Sequence, residues 1–233
     1  QLDQVIVVAD RGMLSKDNIQ ELTENHGYQY ILGEKLKMLP HSIQKPLLDL
    51  KNYNKEWIMN QERSLIVKYT AIEYEGRLII GTWSASRAEK DRKDREERIA
   101  KAELMQSNPS LLKKKASHYF LKNDQQEKYQ IDQQKIERHQ QYDGFLAIAT
   151  NVRELDTATI LDHYKHLYQV EHAFRTFKSF LETRPMFHWT DQRIEGHICL
   201  CYMAYTFQIF LSNQLKKNNM PLSENEIRRT LDK

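Results

Sequence analysis

The chain of 233 residues is 40% hydrophobic and 29% charged, which allows one large domain or two small ones with a real core. Its formal net charge of +3 excludes a strongly basic protein, so any binding to nucleic acid needs cations that are placed locally. Two cysteines in one apolar segment, and an N-terminus without the features of a signal peptide, argue against a disulfide-stapled secreted protein and favour the cytoplasm.

A strand–helix–strand unit is predicted at the start of the chain. Residues 4–9 are a continuous Val-rich run, typical of a strand covered on both faces, and the run ends at Asp10. Ser15 predicts the cap of a helix that continues to about residue 26. Residues 28–32 predict a second strand, and the short helical crossover predicts that the two strands are parallel.

The pattern of residues changes from about residue 34, in the middle part of the chain. Residues 64–83 predict a β-hairpin that turns at positions 74–76. Residues 84–105 predict a helix in which both signs of charge alternate, and such a run is usually a solvated helix face. A basic cluster, Lys113 to Lys115, follows, and residues 145–149 predict another short strand.

A long helix with a cap at Asp156 or Thr157 is predicted next. It carries Tyr164, Glu171 and Lys178, each seven residues from the next. Seven residues are nearly two turns, so these three side chains are predicted to share one face of the helix. An acid between a phenol and an ammonium is atypical of a core and indicates a metal-binding carboxylate flanked by phosphate-binding groups.

A second helix is predicted at residues 198–211, which are almost entirely apolar. This stretch is too short to cross a membrane, and we expect it to be buried. The thiols within it, Cys199 and Cys201, are predicted to pack in the core.

Asp10 and Glu171 are the candidate acids for metal-assisted phosphoryl transfer. This chemistry uses divalent cations to activate an oxygen nucleophile and to stabilise the leaving oxygen, and Mg²⁺ prefers carboxylates and waters as ligands. Asp10 follows a parallel strand, where sites in α/β proteins open, and Glu171 on a later helix can complete the site. Arg175 and Lys178 lie on or beside the same stripe and can hold phosphates.

The segment from Tyr164 to Lys178 resembles the signature around the third acid of bacterial insertion-sequence transposases of the DDE type, Tyr-x2-Arg-x3-Glu-x6-Lys. Tyr164, Glu171 and Lys178 match it in spacing, whereas Leu167 stands at the Arg position. VVADRGM is similar to the segment that holds the second acid, with Asp10 in that role. Residues 142–152 and 173–205 are also similar to this family, in order and spacing.

This resemblance implies an α/β fold with a partial ribonuclease-H-like core, interrupted by a β-rich insertion and followed by a C-terminal helical segment. Residues 1–36 would hold the core strand with the second acid, residues 37–150 the insertion with the charged helix, and residues 151–233 the core helices with the third acid. The first acid would lie upstream, because Asp3 stands too close to Asp10 in the same segment. The chain would then be an incomplete C-terminal part.

The resemblance also implies how such a protein works. It would cut and join transposon DNA with Mg²⁺, for which Mn²⁺ can substitute, and the intact protein would act as a homodimer on double-stranded transposon ends and target DNA, without a membrane. Asp10 and Glu171 would be catalytic metal ligands. The residues that would bind DNA are Tyr164, Arg175, Lys178 and Arg193.

Three functions stay open at this point. The chain is part of an active transposase, or a catalytically dead remnant that binds only DNA or the intact transposase, or a metal nuclease of the same fold. Leu167 and the missing first acid favour the remnant. A plain nuclease would leave no joined DNA products.

Each candidate residue also has a plainer interpretation. Asp10 can be a turn residue, Lys178 a surface lysine, and Arg175 an ion-pair partner of Glu171 or Glu182. Metal ligation and a structural or phosphate-binding role are the alternatives for His188, Arg193 and His197. For Trp57 and Trp83, the alternatives are stacking on an extruded base and burial in the sheet.

Overall fold

The computed structural model describes residues 5–13, 15–60, 65–107, 120–123, 129–179, 186–220, 222 and 224–231. The chain forms two compact units, residues 1–165 and residues 166–233. Asp3, the lysines at 113–115 and Glu182, all named above, lie outside the described residues.

The predicted strand–helix–strand unit opens the first unit. Strand β1 (Ile6–Ala9) is followed by helix α1 (Lys16–Gln20), which continues in a wider π-helical turn over Glu21–Asn25, and by strand β2 (Gln29–Glu34). The Ser15 hydroxyl accepts a hydrogen bond from the Asn18 N–H at 3.1 Å, which satisfies a donor at the helix start. β1 and β2 pair in parallel, as predicted.

One six-stranded sheet organises the first unit. The further strands are β3 (Lys55–Asn60), β4 (Leu65–Tyr74), β5 (Arg77–Trp83), β6 (Leu121–Asn123), β7 (Tyr129–Ile131) and β8 (Phe145–Thr150). The sheet has the order β1-β2-β8-β5-β4-β3, whereas β6 and β7 form a separate two-stranded ribbon. All pairs in the sheet except β1–β2 are antiparallel, and β1 is an edge strand among the described residues.

The predicted hairpin is confirmed as β4 and β5. The two residues between the strands, Glu75 and Gly76, have φ angles of 49° and 73°. Two consecutive left-handed residues make the tight turn whose twist matches that of paired strands. Gly76 adopts this conformation without steric cost.

The helices of the first unit after α1 are α2 (His41–Leu47), α3 (Ala85–Ser107), α4 (Gln133–Gln140) and α5 (Thr157–Lys165). α2 and α5 pack on the two faces of the sheet, whereas Ala102 of α3 and Ile136 of α4 form a separate buried cluster with Phe120. On one face, Ile80 and Ile148 pack with Trp57 and with Ile160 and Leu161 of α5. On the other face, the buried cluster comprises Leu36, Leu39, Leu47, Ile79, Ala147 and Ala149.

Both tryptophans of the middle segment are engaged in the first unit. Trp57 is 9% exposed and its Nε1 donates to Asp162 Oδ1 at 3.1 Å. Trp83 Nε1 donates to the carbonyl oxygen of Asp143 at 3.2 Å. The interpretation that Trp57 is buried in the sheet is therefore confirmed.

The charged helix α3 is solvated on one side only. Arg95 is 9% exposed and forms an ion pair with Asp143 in the turn before β8, and the Gly144 N–H donates to Asp91 at 3.0 Å. Ala102 is fully buried farther along the helix. The interpretation of this run as a purely solvated face is wrong on this side, because two of its charges dock the helix.

The second unit is helical. Its helices are α6 (Leu167–Ser179), α7 (Asp191–Lys217) and α8 (Glu224–Leu231). Phe177 of α6 packs against Tyr205 of α7 with ring centroids 5.2 Å apart. Cys201 is buried but Cys199 is exposed, so the prediction of a core thiol is wrong for Cys199.

The prediction that residues 198–211 are buried is wrong. Large apolar side chains of α7 are exposed, among them Leu200, Tyr202, Met203, Phe207 and Phe210. At about 100° per residue, these five side chains fall within an arc of about 160° on one side of the helix, and the buried Cys201 lies outside that arc. A search of the described residues finds no helix long and apolar enough to cross a bilayer.

The observed architecture is mixed α/β, as expected. β8, from the end of the predicted insertion, pairs with β2 of the predicted core. The division of the chain at residues 36 and 150 stays a prediction.

Candidate active site

Asp10 stands directly after β1, at the carboxyl end of a parallel strand. Its Oδ1 accepts a hydrogen bond from the Gly12 N–H at 2.8 Å, within a 3-10 turn over Arg11–Met13. The predicted turn role of Asp10 is therefore present in the structure. The side chain is also exposed, so its carboxylate faces solvent with an orientation that the turn fixes.

Gly33 lets this turn and Tyr164 come close to β2. A Cβ atom at Gly33 would lie 2.5 Å from the Tyr164 hydroxyl, 2.8 Å from Arg11 Cγ and 3.0 Å from the Arg11 backbone nitrogen. Only glycine permits so close an approach of backbone and side chain. Tyr164 of α5 is therefore placed beside the residue that follows Asp10, and the structure brings these two predicted site residues to the same end of the sheet.

The prediction of one continuous helix through Tyr164 and Glu171 is wrong. α5 ends at Lys165 and α6 begins at Leu167, with a turn at His166 between them. Asp156 caps α5 as predicted, since its Oδ1 accepts from the Thr159 N–H at 2.9 Å. This hydrogen bond lowers the pKa of the Asp156 carboxyl. The helix that it caps does not contain Glu171.

Glu171, Arg175 and Lys178 form one face of α6. At about 100° per residue, their side chains lie within an arc of about 60°. All three are exposed, whereas Thr176 on the opposite side of the helix is 3% exposed. An acid and two cations thus share a solvent-facing surface. Leu167, at the position where the signature has Arg, is half-buried on the same helix.

Arg193 lies in the first turn of α7 and is exposed. The rings of His188 and His197 are 5.2 Å apart, and His197 Nε2 lies 3.8 Å from Cys201 Sγ. Throughout the described ranges, no group of three or more His, Cys, Asp or Glu side chains is arranged to hold a metal ion.

The predicted site residues fall into both units. Asp10 and Tyr164 belong to the first unit. The remaining ones, Glu171, Arg175, Lys178 and Arg193, belong to the second.

Sequence reasoning missed a second carboxylate at the end of the sheet. Glu34 ends β2, is 4% exposed and accepts from Arg77 Nη1 at 2.9 Å and from the Lys35 N–H at 2.7 Å. Tyr30 of the same strand has its pKa raised, chiefly by burial. The available signal was the single acid at the end of the apolar run YILGE. An acid in such a run is expected to be buried, and a buried acid is almost always paired.

The family of the chain follows from its match to a protein-family model. The family model described as the transposase DDE domain matches residues 1–207. The chain belongs to the transposase DDE domain family. No curated protein and no solved structure matches it. Enzymes of the transposase DDE domain family act on DNA and generally use a divalent metal ion.

Proposed function

We propose that this chain is the part of a bacterial DDE transposase that cuts transposon ends and joins them to target DNA by metal-dependent phosphoryl transfer. The family match supports transposase function in general. The observation that carries the chemistry is the exposed Asp10 at the carboxyl end of a parallel strand, with Tyr164 next to its turn. In this proposal the sheet is ribonuclease-H-like and the protein works in the cytoplasm.

Asp10 and Glu171 are the proposed metal ligands. Both are exposed carboxylates, the donor type that Mg²⁺ and Mn²⁺ prefer. The hydrogen bond from Gly12 fixes the orientation of the Asp10 carboxylate, so less ordering is needed when a ligand binds. A bound divalent cation supplies an activated water or hydroxyl nucleophile and stabilises the leaving oxygen.

Tyr164, Arg175, Lys178 and Arg193 are the proposed DNA-binding residues. Arg175 and Lys178 share a face of α6 with Glu171, so a phosphate that they hold lies next to that carboxylate. Arg193 in the first turn of α7 adds its charge to the partial positive charge of a helix start. The intact transposase is proposed to act as a dimer on double-stranded DNA.

A catalytically dead remnant that binds DNA or the intact transposase is the second candidate. Leu167 favours it, because a half-buried leucine replaces a cation on the helix that carries Glu171. Such a protein would bind transposon ends without cleaving them.

Strand cleavage by the intact transposase that carries Asp10→Asn or Glu171→Gln tests the first proposal. The substrate is a duplex that carries the element's ends, with Mg²⁺ present. Each change should lower cleavage by about a hundredfold or more, because a metal ligand supplies several kcal/mol of transition-state stabilisation. DNA binding should be nearly unchanged.

The matched controls are Asp94→Asn and Glu97→Gln, which change exposed acids of α3 and should retain full cleavage. Retained cleavage by Glu171→Gln would contradict the assignment. Wild-type protein that binds the duplex and does not cleave it would favour the remnant.

A further inference from the structure

Five cationic side chains gather on one side of the first unit, around Tyr142 and His139. The charge of Arg98 acts on Lys37, and both act on His139 together with Lys135. Lys45 and Arg138 line a cleft beside Tyr142. We name this the Lys37 surface, and it comprises Lys37, Lys45, Arg98, Lys135 and Arg138.

Lys37 is held in place by its neighbours. Its Nζ lies 3.0 Å from His139 Nδ1 and 4.8 Å from the centre of the Tyr142 ring. The Tyr142 hydroxyl donates to Gln44 Oε1 at 2.9 Å, and Gln44 Nε2 donates to the Lys37 carbonyl oxygen at 3.2 Å. Because the ammonium is already positioned, an anion that binds it costs less side-chain entropy than one that binds a free lysine.

His139 accepts the hydrogen bond from the Lys37 ammonium as a neutral imidazole. Burial, and then the positive charges of Lys37 and Lys135, lower the pKa of His139 to about 4. Burial and the positive charge of Arg98 likewise lower the pKa of Lys37. These side chains therefore share a local excess of positive charge, which a bound anion would relieve.

Nearby acids have their own hydrogen-bond donors. Asp91 and Asp143 also act on Lys37, but Asp143 is paired with Arg95 and Asp91 accepts from the Gly144 N–H. Their negative charge serves to dock α3, so the positive character of the surface remains.

The cleft extends this surface beyond Tyr142. It is open, with a volume of about 500 Å³. Lys45 and Arg138 line it together with His41 and one acid, Asp49, whose Oδ1 accepts from the Lys51 N–H at 3.0 Å. A track of cations therefore continues from Lys37 to α2.

Arg11 connects this surface with the candidate active site. Arg11 lies against Gly33 of β2, and Lys37 follows the end of this strand, Glu34, by three residues. Arg11 directly follows Asp10. The Lys37 surface is consequently on the side of the first unit that carries the end of β1.

We propose that the Lys37 surface binds the phosphate backbone of duplex DNA that runs past Asp10. Lys37 is the preorganised phosphate contact, and His139 is the positioning residue that holds its ammonium. A line of fixed cations matches the regular negative charge of a duplex, and contacts to phosphates supply most sequence-independent affinity. The inference rests on the proposed function, in which duplex DNA is the substrate.

The test is the salt dependence of binding to a fluorescently labelled duplex, measured by anisotropy on the full chain. Each phosphate contact contributes about 0.9 to the slope of log K against log salt. The Lys37→Gln/Arg98→Gln protein should lose about 1.8 from this slope and bind roughly sixtyfold more weakly at about 0.1 M salt.

Two controls separate this effect from changes in folding. The Lys68→Gln/Lys93→Gln protein loses the same charge from exposed positions outside the surface, on β4 and α3. It should keep the wild-type slope. The Lys37→Arg/Arg98→Lys protein keeps the charge at both positions and should also show the wild-type slope.

His139→Phe tests the positioning role. It removes the acceptor and should weaken binding in the wild-type background but not in the Lys37→Gln background. A structural role alone would weaken both equally.

The outcomes distinguish the inference from the proposed function. Wild-type protein that does not bind duplex DNA overturns both. Wild-type binding with equal slopes for the Lys37→Gln/Arg98→Gln protein and its Lys68→Gln/Lys93→Gln control overturns the inference and leaves the proposed function standing.

Discussion

Replacing Gly33 by Ala tests whether the end of β1 is packed as closely as the structure shows. The new Cβ atom would lie 2.5 Å from the Tyr164 hydroxyl and 3.0 Å from the Arg11 backbone nitrogen. The hydroxyl can move with its side chain, but the backbone atom can move only if the Asp10 turn shifts. Overpacking of this kind costs about 1–3 kcal/mol in the free energy of unfolding.

Scanning calorimetry measures this cost. For a chain of this size, about 1 kcal/mol lowers the melting temperature by roughly 2–4 °C, so we expect a drop of about 2–12 °C. Cleavage by the intact transposase should fall as well, because the Asp10 turn is displaced. Adding Tyr164→Phe removes the closest atom and should restore part of the stability.

Gly196→Ala is the matched control. Gly196 lies within α7, and a Cβ atom there would have nothing within 4 Å. Alanine in a helix is more stable than glycine by about 0.5–1 kcal/mol, so this protein should melt at or above the wild-type temperature. If the Gly33→Ala protein also melts at or above the wild-type temperature, the close approach of Arg11 and Tyr164 to β2 is refuted.

Two further predictions concern charged groups of the first unit. Glu34→Gln should lower the free energy of unfolding by about 3 kcal/mol in urea titrations, because it leaves the largely buried Arg77 unpaired. The control, Glu73→Gln, breaks the exposed pair with Arg153 and should change the free energy of unfolding little. The pKa of His139 is about 4 when folded and 6.5 ordinarily, so the unfolded chain binds the proton more tightly. Stability should therefore fall as the pH drops from about 6.5 to about 4, and His139→Phe should flatten this part of the profile, whereas an unchanged profile would contradict the assignment.

The elements with strong local signals could be predicted from the sequence. The Val-rich run before Asp10 and the short crossover to β2 were sufficient for a parallel pair, and residues 74–76 located the hairpin turn. Ser15 marked the start of α1 through the cap that the structure shows. In each case the information lies within a few residues of the feature.

The break at His166 could not be predicted, because no proline or glycine stands near it. The helices before and after His166 make contacts with different parts of the chain. Lys165 Nζ donates to the Met59 carbonyl oxygen in the first unit, whereas α6 packs on α7 through Phe177. Long-range contacts of this kind leave no trace in the local pattern of apolar residues.

The residues of the candidate site could be chosen from the sequence, but their arrangement in space could not. Asp10, Glu171 and Lys178 were singled out by their position after a strand or by their spacing. The role of Gly33 depends on atoms of α5, which lies more than a hundred residues away in the chain. The docking of Arg95 onto Asp143 also joins residues that are far apart in the chain, 48 positions, which is why a run of alternating charges is so easily interpreted as solvated.

The most direct test of the account is whether Asp10 and Glu171 are both metal ligands, as proposed. Electron paramagnetic resonance counts Mn²⁺ bound to the wild-type protein and to the Asp10→Asn, Glu171→Gln and doubly substituted proteins. The account predicts that each single substitution lowers the amount of bound Mn²⁺ relative to the wild type. Full Mn²⁺ binding by either single variant, or none by the wild type, would contradict it.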